Sequence, residues 1–429
     1  MPSFSIPLTG LEADSIALNT IANNLSNMNT TAYKAQSASF SDLFYQQIGT
    51  AGSGDQLQQG AGTQVASISS NFTSGSTNST GKSTDVALNG SGFFVVQGNG
   101  ATQYTRAGNF SLDPSGNLIT QSGQRVMGYP ATNGAVNTNA PLTAINIPVG
   151  QVERPKATST MALTANLDAS AAVGAQMPGQ ITLYDSLGVS HLASVTFTKT
   201  SANNWGYSVA MPYSDLVPPV VPPLPLPATV QLASGSLSFD SQGALVSVTP
   251  GIGPVVLPGT AAVPIASPAL ADNAEPLTFN WQVFDSSQSG LISQVAAASG
   301  VAKTNQDGYM SGQYQSFAID SKGVISATFD NGQQSVIGQM AVASVANEQG
   351  LSRVGGNSFA ATGASGQPSI GAAGSAGRGT IQGGALEQSN VDISTEFSNL
   401  IIAQRAFEAN SKAITTFDTV TQETINMIR

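Results

Sequence analysis

The C-terminal stretch, 386–429, carries apolar residues at intervals of seven. The repeat consists of Ile393, Leu400, Phe407, Ile414 and Ile428, and Phe397, Ile401, Phe417 and Val420 widen the same stripe. Neither Pro nor Gly, the residues that interrupt helices most strongly, occurs within the stretch. The spacing therefore predicts a long helix with one apolar face.

The N-terminal stretch from Phe4 to Ala32 has the same seven-residue pattern. Its repeat is Phe4, Leu11, Leu18, Leu25 and Ala32, with Ile21 and Met28 beside it. Asparagines crowd positions 23–34, and Asn favours caps and turns, so the helix is expected to end there. The two helices are predicted to pair and to supply an assembly interface made of Leu11, Leu18, Ile21, Leu25, Met28, Ile393, Phe397, Leu400, Phe407, Ile414 and Phe417. Pairing within one chain, which would cap a monomer, is the alternative to assembly.

Between the helices the chain has short β-type runs separated by turns. A turn pattern of Asp, two residues and Gly recurs, beginning at Asp113, Asp185, Asp240 and Asp320. Asp at the first position of a type I turn accepts hydrogen bonds from the following backbone, and Gly adopts the left-handed conformation that follows. All four are therefore predicted as β-hairpin turns. Each supplies one carboxylate, whereas calcium loops gather several, so no metal site is predicted.

The predicted fold class is a multidomain, mainly β protein with its N- and C-terminal α-helices paired at one pole and nested β domains in the middle. The domains are expected to comprise 1–33 with 386–429 (terminal helical domain), 34–81 with 355–385 (extended connector), 82–143 with 301–354 (β domain) and 144–300 (inserted outer β domain). The insert holds the single histidine, both tryptophans and a proline-rich arm between Pro212 and Pro227, which is expected to be a stiff surface loop.

Composition and charge exclude several classes of function. The net charge of −10 argues against nucleic acid as a partner, and the chain has no cysteine for disulfides or thiolate metal sites. Its longest apolar runs are too short to span a bilayer, and its start lacks the basic and apolar regions of a signal peptide. Residue types alone would allow a Ser-His-Asp triad around His191, but a single histidine in a strand-like stretch is ordinarily a packed or surface residue. No enzyme and no cofactor are predicted.

Three stretches together resemble the family of bacterial flagellar rod, hook and hook-associated axial proteins. They are NNLSNMNTTAYK from Asn23, the pair GALEQSNVD and AQRAFEAN near the C-terminus, and the β segment LNGSGFFVV with YTRAGNFSLDPSGNLIT. The family signature residues in this chain are Asn23, Asn24, Asn27, Asn29, Tyr33, Ser389, Asn390, Gln404 and Arg405. Ala32 occupies a position where the family usually has glycine, which puts a tight left-handed bend there in question.

Chain length and the insert fit the hook members of this family best. The resemblance implies a subunit that assembles with itself into a curved tube, a universal joint between rod and filament, with the terminal helices innermost. The implied partners are the rod, hook cap and hook–filament junction proteins and the flagellar export apparatus, with no membrane insertion. The implied location is the flagellum, reached by export without a cleaved signal peptide. A distal rod protein and a secreted adhesin or tail-fibre-like β protein are the alternatives.

Overall fold

A computed structural model describes residues 5–50, 56–98, 100–132, 134–217, 226–259 and 262–427. Phe4, Ile428 and the 218–225 part of the proline-rich arm lie outside these ranges. The chain divides into two compact units: unit 1 comprises Met1–Val149, Ser316–Thr328 and Gln334–Arg429, and unit 2 comprises Gly150–Gln315 and Phe329–Gln333. The predicted insert, 144–300, falls largely within unit 2.

Two α-helices lie near the ends of the chain, α1 (Ser5–Ser26) and α2 (Ile393–Met427), and they contact each other. The predicted C-terminal helix starts too early, because Leu386 belongs to a strand and α2 begins only at Ile393. Asp392 sets this start, since its Oδ1 accepts from the amide of Thr395 at 3.0 Å and its carbonyl accepts from Glu396 at 2.9 Å. Neither helix, over the residues described, is long and apolar enough to cross a membrane.

The other described elements are strands and two short 3₁₀ turns, Tyr213–Asp215 and Glu348–Gly350. The strands up to 153 are β1 (Gln36–Asp42), β2 (Tyr45–Thr50), β3 (Gln56–Gly60), β4 (Thr63–Ser70), β5 (Thr77–Ser79), β6 (Val86–Asn89), β7 (Phe93–Gly98), β8 (Ala101–Thr105), β9 (Ser111–Leu112), β10 (Leu118–Ile119), β11 (Arg125–Thr132), β12 (Ala135–Val136), β13 (Thr143–Ala144) and β14 (Val152–Glu153).

The following strands run from 160 to 387. They are β15 (Thr160–Asp168), β16 (Gln176–Tyr184), β17 (Ser190–Ser201), β18 (Asn204–Pro212), β19 (Thr229–Phe239), β20 (Leu245–Pro250), β21 (Val263–Ala266), β22 (Thr278–Gln282), β23 (Ile292–Val295), β24 (Gly300–Gln306), β25 (Gly312–Ile319), β26 (Val324–Phe329), β27 (Gln334–Ser344), β28 (Ser352–Gly355), β29 (Ser358–Ala360), β30 (Ser369–Ala372), β31 (Thr380–Gly383) and β32 (Ala385–Glu387). The expectation of a mainly β protein with contacting terminal helices is confirmed.

The sheet of unit 1 is built around β27. This strand pairs antiparallel with β26, β11, β7 and β30, and β7 continues through β8 and β29 to β28. Phe93 is fully buried in its core, and its ring lies 5.7 Å from that of Phe72 and 5.6 Å from that of Phe359. This cluster joins residues far apart in sequence into one core.

The predicted connector segments form paired strands. β1 pairs with β4 and β2 with β3. The two halves of the connector meet where β5 pairs with β32, and β31 of the connector pairs with β6 of the predicted β domain. These last two pairings bring the chain on either side of the β domain together. They lead directly into the segment before α2.

Most described strands of unit 2 form two five-stranded sheets, which share one apolar core. One sheet has the antiparallel order β16-β17-β18-β19-β20; in the other, β15 pairs in parallel with β22 and β23 and antiparallel with β24. Residues along β15 and β17 alternate between buried and more exposed, as the two-residue period of a strand requires. Trp281 is fully buried, with its ring 5.0 Å from that of Tyr207.

All four predicted hairpin turns are present. In each, the Asp Oδ1 accepts from the amides two and four residues later at 2.8–2.9 Å, and the Gly has a positive φ between 77° and 85°. A fifth turn at Asp285 has the same hydrogen bonds but Gln288 in the left-handed position, with φ of 65°. The sequence pattern missed it because it required glycine.

Candidate functional site: the junction of the terminal segments

The end of α1 is stabilised by asparagine side chains that form hydrogen bonds with backbone amide and carbonyl groups. Asn24 is fully buried; its Nδ2 donates to the carbonyl of Gln36 at 2.7 Å, and its Oδ1 accepts from the Gln36 amide at 2.8 Å. Asn27 Nδ2 donates to the carbonyl of Asn23 at 2.9 Å, while Asn29 is exposed. A side-chain amide offers the donor and acceptor of a peptide group, which explains why Asn suits the turn between α1 and β1.

Ala32 makes the left-handed bend that the sequence put in question. Its φ is +53°, its side chain is fully buried, and its amide donates to the carbonyl of Glu387 at 2.8 Å. The conformation costs an alanine about 1–2 kcal/mol. Ala32 therefore preserves the geometry that glycine would favour, and it ties the N-terminal segment to the strand preceding α2.

A buried ionic cluster lies directly beyond this bend. Lys34 Nζ is 2.6 Å from Glu387 Oε1, and Arg106 Nη1 is 3.5 Å from Glu387 Oε2, with all three side chains at most 1 % exposed. Lys34 also donates to the carbonyl of Thr73 at 2.8 Å. Burial lowers the pKa of Lys34 even though Glu387 opposes the shift. The cluster joins three chain segments through one carboxylate.

Arg353 packs over the same junction. Its guanidinium lies 5.4 Å from the ring centres of both Tyr33 and Phe359, and it donates to the carbonyl of Lys34 at 2.8 Å. A guanidinium against two aromatic faces combines a cation–π contact with a charge-assisted hydrogen bond. Tyr33 is thus clamped in place, with its hydroxyl 3.3 Å from Asn24 Oδ1.

The C-terminal signature meets the N-terminal one through Asn390. Its Oδ1 accepts from the Ala35 amide at 2.8 Å, and its Nδ2 donates to the carbonyls of Asn71 and Thr73 at 2.8 and 3.0 Å. Ser389 is half-buried, and its hydroxyl accepts from the Val391 amide at 3.4 Å. Gln404 and Arg405 lie apart from this junction, exposed on α2.

The first turn of α2 is linked to the end of α1 by Glu396. Its Oε1 accepts from Asn24 Nδ2 at 3.1 Å, and burial raises the pKa of the Glu396 carboxyl despite that hydrogen bond. Farther along the two antiparallel helices, Asn410 Nδ2 donates to Asp14 Oδ2 at 2.8 Å. A Cβ on Gly10 would come 2.7 Å from the same Nδ2. A glycine and a polar pair thus make one close contact between the helices.

The predicted assembly residues are distributed along both helices and in the segment after α1. On α1, Leu11, Leu18, Ile21 and Leu25 are half-buried, and Met28, beyond the helix end, is 36 % exposed. On α2, Leu400, Ile414 and Phe417 are half-buried, whereas Ile393, Phe397 and Phe407 are exposed. Not one of these eleven side chains is fully buried.

Comparisons with known proteins place the chain among axial proteins of the bacterial flagellum. Family models match at 7–34 (flagella basal body rod protein), 87–163 (flagellar hook protein FlgE/F/G D1 domain), 153–309 (flagellar basal body protein FlaE D2 domain) and 382–427 (flagellar basal body rod FlgEFG protein C-terminal). The model at 7–34 includes the N-terminal signature, and the model at 382–427 includes the C-terminal signature. These models define the class as rod and hook proteins.

Full-length relatives define the family. The flagellar hook protein FlgE of Escherichia coli K12 is 34 % identical, and that of Salmonella typhimurium LT2 is 35 % identical; each alignment covers 99 % of this chain and 100 % of the relative. A crystal structure of Helicobacter pylori FlgE2 shares the fold, with a TM-score of 0.51 at 15 % identity over 71 % of this chain and 99 % of that one. The chain belongs to the flagellar hook protein family, and the predicted role as a structural subunit of the hook is confirmed.

Several residues of the junction were not among the predicted site residues. Lys34, Arg106, Arg353, Glu387 and Glu396 each make contacts between segments that are distant in sequence. The sequence does contain one indication of the ion pair between Lys34 and Glu387. Lys34 is the last residue of the N-terminal signature, and Glu387 lies within the C-terminal signature. In a chain with only 9 % charged residues, opposite charges in two signatures expected to meet are candidates for an ion pair.

Proposed function

We propose that the chain polymerises with copies of itself into the curved hook tube, with 1–33 and 386–429 forming its inner layer. The observation that carries this proposal is the exposure of apolar side chains on α2. Phe397 and Ile401 are 48 % and 51 % exposed and, being four residues apart, lie on one helix face. Ile402 is 66 % exposed. Exposed apolar surface on a helix favours a protein partner.

The contact between α1 and α2 supports assembly over the alternative of a self-contained helix pair. A coiled coil capping a monomer would bury its leucines at the seam. Here Gly10, Asp14 and Asn410 make the close contact, and Leu11, Leu18 and Leu25 are only half-buried. The apolar flanks of both helices remain available to neighbouring subunits. Covering the exposed half of a Phe or Ile side chain contributes about 1 kcal/mol per residue.

The proposed position of the tube between rod and filament indicates which flagellar proteins the chain contacts. A tube joining rod to filament contacts rod proteins at one end and junction proteins at the other, and a growing tube meets the hook cap. Its subunits reach the outside through the flagellar export apparatus. We infer no role for nucleic acid, a cofactor or catalysis.

The experiment compares Phe397→Asp with Ile252→Asp. Both add one charge at an exposed apolar position, but Ile252 lies in unit 2 and is 93 % exposed. Phe397→Asp is expected to stay monomeric in sedimentation and to give no tubes by electron microscopy, because assembly would bury an unpaired carboxylate. Ile252→Asp should assemble. Tubes formed by Phe397→Asp at wild-type protein concentration would refute the proposal.

A further inference from the structure

Unit 2 contains a cluster of one histidine and three aspartates on the rim of its β structure. His191 lies near the start of β17 and is almost fully buried; Asp185 lies in the preceding turn and has no exposed side-chain surface. Asp215 lies in the 3₁₀ turn after β18, and Asp272 lies between β21 and β22. Backbone hydrogen bonds hold these last two loops together, with the Ala271 amide donating to the Asp215 carbonyl at 3.0 Å.

Three of these side chains converge on one point. Asp185 Oδ2 is 3.1 Å and Asp272 Oδ2 is 3.8 Å from His191 Nε2, and all three atoms lie within 4.8 Å of one another. Ligands about 2.0–2.2 Å from one zinc ion lie roughly 3–4 Å apart. We propose that Asp185, His191 and Asp272 form a binding site for a divalent transition-metal cation of the zinc class.

The two remaining carboxylate oxygens show how the ligands are oriented. Asp185 Oδ1 accepts from the amides of Leu187 and Val189, and Asp272 Oδ1 accepts from Ala274 at 3.0 Å. Each carboxylate therefore presents its Oδ2 to the cluster. Asp272 Oδ2 is shielded from solvent and accepts no hydrogen bond from the described residues, although the side chain as a whole is 27 % exposed. A shielded carboxylate oxygen without a hydrogen-bond donor is stabilised by a nearby cation.

Asp215 positions the histidine for this role. Its Oδ2 lies 3.1 Å from His191 Nδ1. In a neutral imidazole, an Nδ1–H that donates to Asp215 leaves the Nε2 lone pair directed at Asp185 and Asp272. A carboxylate behind the metal-binding histidine is the usual outer-shell arrangement in metal sites. Asp215 is thus a positioning residue.

Charge also favours a divalent ion. No lysine or arginine forms an ion pair with these aspartates in the described part of the chain. Three carboxylates around one imidazole leave an excess of at least two negative charges even if His191 is protonated. The imidazole ligand disfavours magnesium and calcium, which prefer oxygen donors, and it suits zinc, cobalt or manganese with carboxylates. The sequence predicted no metal because each Asp-containing turn supplies one carboxylate, and Asp272 lies 81 residues beyond His191 in the chain.

The test is a calorimetric titration of chelator-treated full-length protein with Zn²⁺, paired with thermal melts followed by tryptophan fluorescence. Both tryptophans are buried in unit 2, so the fluorescence reports that unit. The expected result is one Zn²⁺ per chain and a higher melting midpoint for unit 2. Asp272→Asn keeps the shape of the side chain and should weaken binding by about tenfold or more, as should Asp215→Asn.

Glu275→Gln is the matched control, because it removes an exposed carboxylate three residues from Asp272. Its affinity for Zn²⁺ should equal that of the wild type. A third variant, His191→Gln, removes the imidazole ligand and should also weaken binding. Tryptophan emission of each metal-free variant shows whether unit 2 is folded, so a folded Asp272→Asn keeps the test valid if His191→Gln does not fold. Absence of binding at millimolar Zn²⁺ or Mn²⁺ would overturn the proposal, as would an unchanged affinity in folded Asp272→Asn. In either case a protonated His191 would be the cation that the carboxylates surround.

Discussion

Replacing Glu387 by Gln should destabilise unit 1 strongly while preserving the shape of the side chain. Glu387 is the only carboxylate that contacts Lys34 and Arg106 in the described ion pairs, and all three groups are buried. Glutamine can still accept from the Gly75 amide, which donates to Glu387 Oε1 at 2.9 Å. The substitution therefore removes the negative charge without removing that hydrogen bond. Two buried cations remain without a counter-charge.

The magnitude follows from the fate of Lys34. Leaving a buried charge unpaired costs about 3–5 kcal/mol. Lys34 can instead lose its proton, which at pH 7 costs about 4–5 kcal/mol relative to the ordinary lysine pKa, so this route limits the loss to about 5 kcal/mol. For a unit of this size, the loss corresponds to a fall of roughly 6–20 °C in the melting midpoint of unit 1.

The variant should also depend on pH in a defined direction. If Lys34 becomes neutral in the folded variant, the unfolded chain binds more protons than the folded one. Stability then rises with pH up to the unfolded lysine pKa, by at most about 1.4 kcal/mol per pH unit. The deficit relative to the wild type should therefore shrink between pH 7 and pH 9.

The assay separates the two units. Far-UV circular dichroism and calorimetry follow the whole chain, while tryptophan fluorescence follows unit 2 alone. Glu12→Gln is the matched control, because it removes an exposed carboxylate from the middle of α1. A midpoint for Glu387→Gln equal to that of Glu12→Gln would refute the role of the ionic cluster. An equal fall in the melting midpoints of unit 1 and unit 2 would show that the effect of the ionic cluster is not confined to unit 1.

Two further predictions concern the same junction. Ala32→Val should cost about 1–3 kcal/mol in urea unfolding of unit 1, because a β-branched residue is strained at positive φ, whereas Ala32→Gly should stay within about 1 kcal/mol of the wild type; equal effects would contradict the strain argument. Glu396→Gln should slow hydrogen exchange at the start of α2 at pH 7 but not at pH 4. Because the pKa of the Glu396 carboxyl is raised in the folded protein, the protonated carboxyl contributes stability below its unfolded pKa, and this contribution is lost as pH rises through the folded pKa. Slower exchange at both pH values would contradict this reasoning.

Local patterns in the sequence predicted those parts of the fold that depend on neighbouring residues. The hairpin turns at Asp113, Asp185, Asp240 and Asp320 are complete within five residues, so their hydrogen bonds could be anticipated. The helices were recognisable from their periodicity. The start of α2 was not, because Leu386 fits the apolar pattern yet pairs with Asn78 in a strand. Pairing between distant strands overrode the local signal.

The junction was predicted only in outline, for the same physical reason. The Asn-rich segment indicated the end of α1, and it does end there, at Ser26. The contacts of Glu387 with Lys34 and Arg106 span hundreds of residues and depend on β5, β6, β31 and β32 being paired. Periodicity also does not distinguish an apolar side chain that packs within the chain from one left exposed, such as Phe397.

The most direct test of the assembly proposal is thiol labelling of Phe397→Cys. The chain has no cysteine, so the variant carries a single thiol. Its reaction rate with a maleimide would be measured in the monomer, in intact hooks and in urea-unfolded protein. The proposal predicts fast labelling in the monomer, close to the unfolded rate, and strong protection in hooks because a neighbouring subunit covers this face of α2. Equal rates in monomer and hook would contradict it.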